Sequence, residues 1–272
     1  MKKIKLLLIL AVIVGFTSCE ALEGLFEDTT KGLSQEEVVK GLRTALIVGA
    51  DTSVAELNST DGYFANALLK IFLPDEAKPI LDAANSSTAK ALGVDVVLNK
   101  YMDDVILRMN RAAENAAVEA KPILTHAVTN LSLTDAWDIL KGVNPLNPNK
   151  SAGFDSTAAT NYLRYATFDS LAFVFKTPIN LALDKDLVGG VSTNEAWGTL
   201  ANYYNQVAPL LGGKAVSAQL GTHVTNKALD GLFYKVGKAE IEIRRDPLAW
   251  ATKWGENILD LVFGSSEAKN AK

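Results

Sequence analysis

One group of ionisable side chains lies in the middle of a long predicted helix, where Asp104, Arg108, Arg111 and Glu114 follow at intervals of three or four residues. Residues at this spacing share a helical surface and can form ion pairs there. The spacing favours a charged face in contact with solvent. The alternative is that Arg111 and Glu114 turn inward, because alanines flank them, and form a pair that orients helices or faces a ligand at a desolvation cost.

A carboxylate such as Glu114 acts as a general base only with suitable partners, and the sequence offers few of them. The motifs of serine hydrolases, P-loop proteins, zinc proteases and EF-hands do not occur. His126 and His223 are the only histidines, and neither has an acidic or histidine neighbour at ligand spacing. We therefore expect no metal site and no cofactor.

Cys19 is the only cysteine and ends a segment typical of a bacterial lipoprotein signal. Three lysines precede an apolar stretch over 6–14, and small residues lead up to the cysteine. That stretch is about half the ~20 residues needed to cross a membrane, which favours cleavage over an uncleaved anchor. An ordinary secretory signal with an incidental cysteine is the other alternative. We predict a signal peptide over 1–18 and acyl chains on Cys19 that hold the mature protein to a membrane.

The composition indicates a folded, acidic protein. The formal net charge is -4, and removal of residues 1–18 takes away three lysines and no acid, which leaves -7. An acidic surface without Lys/Arg runs argues against nucleic-acid binding, which depends on cations placed against phosphates. A hydrophobic content of 48% is typical of a packed core. With one cysteine, the chain cannot form an internal disulfide.

Helical patterns dominate the rest of the chain, and they predict an all-α fold: an irregular bundle of roughly eight to ten helices with little or no sheet. We expect a lipidated tether over 19–33, a single helical domain over 34–264 and a disordered tail over 265–272. A capping box at Ser34 starts the first helix, and the longest helix covers about 95–120. Helices are also expected over 156–175, 194–211, 221–236 and 247–263, and residues 239–244 fit either a strand or a helical turn.

Eight short motifs, in this order, resemble a bacterial family known as domain of unknown function 4197. They are GLRTAL (41–46), DGYFAN (61–66), LP (73–74), NRAAE (110–114), DAWDILKG (135–142), AATNY (158–162), KALDGLF (227–233) and IRRDP (243–247). The resemblance covers nearly the whole mature chain and implies an exported α-helical protein with no established activity.

The resemblance also singles out the polar residues inside these motifs as candidates for a shared internal network or a ligand-facing groove. They are Asp61, Asn66, Arg111, Glu114, Asp135, Asp230 and Arg244. We predict that Arg111 and Glu114 are paired, at least partly buried, and hold the long helix against its neighbours.

Three classes of function remain open. The first is a lipid-anchored binding or scaffold protein of the cell envelope, with a protein as its possible partner. The second is a carrier of a lipid or another apolar ligand in a cavity between helices. The third, with least support, is a hydrolase that uses Glu114 or an Asp as base. Because Glu20 rather than Asp follows the cysteine, we expect the outer membrane, facing the periplasm.

Overall fold

A computed structural model describes residues 32–146 and 153–271, and this part of the chain is all-α, without a strand, as predicted. Cys19, the signal peptide over 1–18 and most of the predicted tether lie outside the described residues. The helices are α1 (Gln35–Leu57), α2 (Lys78–Asn85), α3 (Ser87–Leu92), α4 (Val94–Ala116), α5 (Ala120–Asn130), α6 (Ala136–Leu140), α7 (Ala158–Leu183), α8 (Thr193–Val207), α9 (Leu220–Arg245), α10 (Pro247–Trp254), α11 (Asn257–Phe263) and α12 (Ser266–Lys269).

Helix α1 begins at the predicted capping box and lies at the centre of the bundle. The Ser34 side chain accepts a hydrogen bond from the Glu37 amide, and the Glu37 carboxylate accepts one from the Ser34 amide. The helix packs against α9, α11, α5 and α6. At Gly41 the contact with α11 is so close that an added Cβ would lie 2.6 Å from Cγ2 of Val262. Glycine therefore sets the distance between α1 and α11.

Helix α9 is longer than the sequence pattern predicts. Residues 239–244 continue it, with Ala239 and Ile243 buried four residues apart on one side. The strand alternative is thus wrong for this segment. Helix α9 packs on α7 as well as on α1, and α7 itself extends to Leu183, well beyond the predicted end at 175.

The C-terminal region also departs from the prediction. The single helix expected over 247–263 is two helices, because Gly255 adopts a left-handed conformation (φ 69°) that ends α10. The disordered tail expected from 265 is wrong for residues 266–269, which form α12. Ser265 caps this helix, and Ala268 is buried.

The interior is one continuous hydrophobic cluster that takes side chains from nearly all the helices. Its largest fully buried side chains include Tyr63, Phe175, Tyr204 and Phe263. Within the two described ranges, no helix combines the length and the apolar character needed to cross a membrane.

Candidate functional site

The motif at 110–114 holds a loop rather than a neighbouring helix. Glu114 is almost fully buried, and its Oε1 accepts hydrogen bonds from the backbone amides of Tyr63 and Phe64, each at 3.1 Å. Its Oε2 accepts a hydrogen bond from Nη1 of Arg111 at 2.6 Å. Three donors therefore occupy the carboxylate, which leaves it poorly placed to take a proton from a substrate.

Asn110 fixes the far end of the same loop. Its Oδ1 accepts a hydrogen bond from the Ile71 amide at 2.9 Å, and its Nδ2 donates to the Ile71 carbonyl at 2.8 Å. The residue is fully buried, so both bonds are shielded from water. Together, Asn110 and Glu114 clamp residues 63–71 against α4.

Arg111 joins Glu114 to the start of the loop. Its Nη2 donates to Oδ1 of Asp61 at 2.7 Å. Asp61 is the one non-glycine residue with positive φ (69°) in the described ranges. The predicted Arg111–Glu114 pair is confirmed, with 5% of the Glu114 side chain and 21% of the Arg111 side chain exposed. Asn66 lies in the same loop, where its Oδ1 accepts a hydrogen bond from the Leu68 amide.

Tyr63 carries the loop into the core. Its hydroxyl donates to the Ala228 carbonyl of α9 at 2.8 Å. Its ring packs so closely on Gly231 that a Cβ added to this glycine would lie 2.7 Å from Cε1 of Tyr63. Burial, together with the nearby Glu114 charge, raises the pKa of Tyr63 far above its ordinary value. The hydroxyl is therefore a permanent donor that ties the loop to α9.

Arg244 belongs to a second buried cluster, far along the chain from the first. Its guanidinium pairs with Glu240 at 2.8 Å and donates to the carbonyls of Leu140 and Ile139 at the end of α6. Glu240 in turn accepts hydrogen bonds from the amides of Ala159 and Thr160 in the first turn of α7. One ion pair thus caps the end of α6 and the start of α7.

The other predicted residues lie apart from these two clusters. Asp135 is exposed just before α6 and accepts a hydrogen bond from its neighbour Thr134. Asp230 forms an ion pair with Arg164 of α7 at 2.6 Å, half exposed to solvent. The seven candidate residues therefore do not form one shared network, because α4, α6 and α9 place them in separate parts of the bundle.

Asp230 lies in an open groove on the side of α9 that faces away from α1. The first section of the groove, of about 490 Å³, runs between α9 and the first half of α7. Here Arg164 sits 4.7 Å from the centroid of the Phe168 ring and 5.5 Å from that of Phe233. Aromatic rings and the carboxylate of Asp230 thus hold the guanidinium in place while 37% of the side chain stays exposed.

The second section, of about 540 Å³, continues between α9 and residues 68–75, which form the end of the clamped loop and the segment just after it. Nε2 of His223 lies 2.8 Å from the Phe72 carbonyl, so this nitrogen carries the hydrogen and donates it. Asp230 and Tyr234 line both sections. The two sections are therefore adjacent parts of one surface, which we call the α9 groove.

Cations outnumber carboxylates in the α9 groove. Arg164, Lys70, Lys227 and Lys238 line it, against Asp75 and Asp230. None of the three lysines makes an ion pair with any of the described residues. The motifs identified Asp230 but not the cations around it. Arg164, Lys70 and Lys238 stand outside the motifs. Lys227 lies in the motif at 227–233 but was not recognised as part of a surface.

The arrangement of acidic and histidine side chains gives no indication of a metal centre. Over residues 32–146 and 153–271, no three His, Cys, Asp or Glu side chains converge in a way that could hold an ion. The groove offers charged, hydrogen-bonding and aromatic groups to a ligand.

Comparison with known proteins identifies a family but no individual relative. No curated protein and no solved structure is significantly similar to the chain. The model of a protein family of unknown function, DUF4197, matches residues 32–264, which is most of the chain and contains all eight motifs. The polar residues in those motifs serve largely to clamp the loop at 63–71 and to cap α6 and α7. The chain belongs to the DUF4197 family.

Proposed function

We propose that this protein is a binding protein of the bacterial envelope, anchored by acyl chains on Cys19, that takes a partner in the α9 groove. The observation that carries the proposal is the groove itself, where three lysines that make no ion pair with any of the described residues lie beside exposed apolar side chains. Leu68 is 75% exposed and Phe72 57% exposed at its edge. Exposed apolar groups beside convergent polar ones are characteristic of binding surfaces.

The geometry gives less support to a hydrolase. Glu114 is buried beneath the loop, and backbone amides and Arg111 occupy both its oxygens. Glu240 is bonded in the same way at the start of α7. Asp230 reaches the groove but pairs with Arg164, and its neighbours there include no serine or cysteine that could act as a nucleophile.

A carrier of an apolar ligand needs an apolar space enclosed between the helices. The alanines of α4, among them Ala112, Ala113 and Ala116, are buried in contact with the core cluster. The α9 groove lies at the surface, lined by the exposed Tyr234. A partner bound along the surface therefore fits the structure better than a ligand enclosed within it.

Photo-crosslinking in cells tests the proposal. A photoreactive phenylalanine analogue placed at Tyr234 probes the groove, and one placed at Phe173 serves as the control, since Phe173 is 83% exposed on α7 and lines neither section. We expect a discrete crosslinked species from position 234 and not from position 173. Absence of any crosslink specific to position 234 would contradict a binding role for the groove.

A further inference from the structure

We propose that the partner in the α9 groove is an extended, acidic peptide segment of another protein. This inference rests on the proposed function and adds the chemistry of what is bound. It follows from the length of the groove, from how its charges are distributed, and from the apolar positions between them.

The groove follows one stripe of α9. His223, Lys227, Asp230, Tyr234, Lys238 and Ile241 recur every three or four residues and all line it. Between the first and the last of these, the helix rises about 27 Å. An extended peptide covers that distance with about eight residues.

The lysines are spread along the stripe rather than gathered at one point. Lys227 and Lys238 are separated by about 16 Å of helix, and Lys70 reaches the groove from the clamped loop. Nζ of Lys70 lies 4.2 Å from the centroid of the Phe64 ring, which restrains its position. Carboxylates spaced along a peptide match such a distribution.

A lipid headgroup does not match it as well. Its negative charge is concentrated at one end of the molecule, so it would meet one lysine and leave the others unpaired. A nucleic acid carries a phosphate at every nucleotide, which is a higher density of charge than the separated lysines of the groove can match. An acidic peptide with alternating apolar residues can satisfy the lysines and also cover Leu68, Phe72 and Tyr234, which are exposed along the groove.

Fluorescence anisotropy with the mature, detergent-solubilised protein tests this class of partner. The probe is a labelled peptide of about nine residues in which glutamate alternates with leucine or phenylalanine. The same peptide with lysine in place of glutamate tests the sign of the charge, and lysophosphatidylglycerol tests an anionic lipid.

The variant Lys227→Gln/Lys238→Gln removes two groove cations. Its matched control is Lys90→Gln/Lys100→Gln, which removes two exposed lysines outside the groove without ion pairs among the described residues.

We expect the glutamate peptide to bind, the groove variant to weaken its affinity about tenfold, and the control variant to leave it within about twofold. Added salt should weaken binding to the unmodified protein more than binding to the groove variant. Equal binding of the lysine peptide, an unchanged affinity in the groove variant, or binding of the lipid without the glutamate peptide would each overturn this inference. A specific crosslink from position 234 together with such a result would leave the proposed function standing with a different partner.

Discussion

At the scale of single residues, two buried glutamates are matched to backbone amides far away in sequence. Glu114 meets amides some fifty positions earlier, and Glu240 meets amides some eighty positions earlier. The pairing of Arg111 with Glu114 was predictable, since helical spacing alone brings them together. Their loop partners were not, because that contact depends on how the loop at 63–71 packs on α4.

Replacing Glu114 by Gln should destabilise the fold. The new amide group would face Nη1 of Arg111, donor against donor, in a buried position. We expect a loss of roughly 2–4 kcal/mol, between the values for a charged hydrogen bond and for a broken buried pair. Chemical denaturation of Asp82→Asn gives the control, because the Lys78–Asp82 pair is exposed and should contribute under about 1 kcal/mol. Equal losses in the two variants would show that Glu114 is not the clamp described here.

Asp155 should contribute to the pH dependence of stability. Burial tends to raise its pKa, but hydrogen bonds from Thr157 and Asn161 and the charge of Arg244 hold that pKa below its ordinary value. A depressed carboxyl pKa means that its stabilisation is complete above an unfolded-state value of about 3.9 and is lost as the pH falls through the lower folded value.

The measurement is the free energy of unfolding from neutral to acidic pH. The unmodified protein should be more stable than Asp155→Asn at neutral pH, and the difference should shrink below about pH 4. Asp169→Asn, which removes an exposed carboxylate on α7 without an ion pair among the described residues, is the control. A difference at Asp155 that persists unchanged into acid would contradict the assignment.

At the scale of elements, the long helices were predictable, and so was the start of α1, but several helix ends were not. The period of apolar residues identified α1, α4, α7 and α9, since each buries one face or more. The end of α9 was missed because residues 239–244 alternate in polarity, yet Glu240 is buried by its bonds to Arg244 and α7. The sequence does not show whether a charged residue is buried or exposed. The alternation of charged and apolar residues therefore fitted a strand as well as a helical turn.

The close approach of α1 and α11 gives an element-scale prediction. Gly41→Ala would push its Cβ into Val262, which is fully buried and β-branched, so we expect a loss of about 1–3 kcal/mol from overpacking. Gly198→Ala on α8 is the matched control, because a Cβ there meets nothing within 4 Å. It should stabilise the protein by about 0.5–1 kcal/mol through helix propensity. Thermal denaturation measures both, and shifts of the same sign would refute the close contact.

At the scale of the whole molecule, the proposed role joins a membrane anchor to a folded binding domain. If the proposed anchor is right, Cys19→Ala should release the protein from the membrane fraction or leave its signal peptide uncleaved, because the proposal makes the thiol the acylation site. Cell fractionation and the intact mass of the mature protein measure this outcome. An unmodified Cys19 in a mature protein would exclude the anchor.

The α9 groove shows where sequence reasoning stops. Asp230 was identified from its motif, whereas Arg164, Lys70 and Lys238 belong to different elements and meet only after α7 and the loop pack beside α9. Surface cations have no distinguishing pattern in sequence. Their common location depends on the three-dimensional packing that the buried clamps maintain.

The crosslinking yield from position 234 tests most directly whether the groove binds a partner while the buried clamp around Arg111 and Glu114 holds the fold. It is to be measured in Lys227→Gln/Lys238→Gln and in Arg111→Met, the latter at a temperature where circular dichroism shows that it remains folded. We predict a reduced yield in the lysine variant at unchanged stability, and a normal yield in Arg111→Met despite its lower stability. A normal yield in the lysine variant, with the crosslink lost in folded Arg111→Met, would contradict this division of roles.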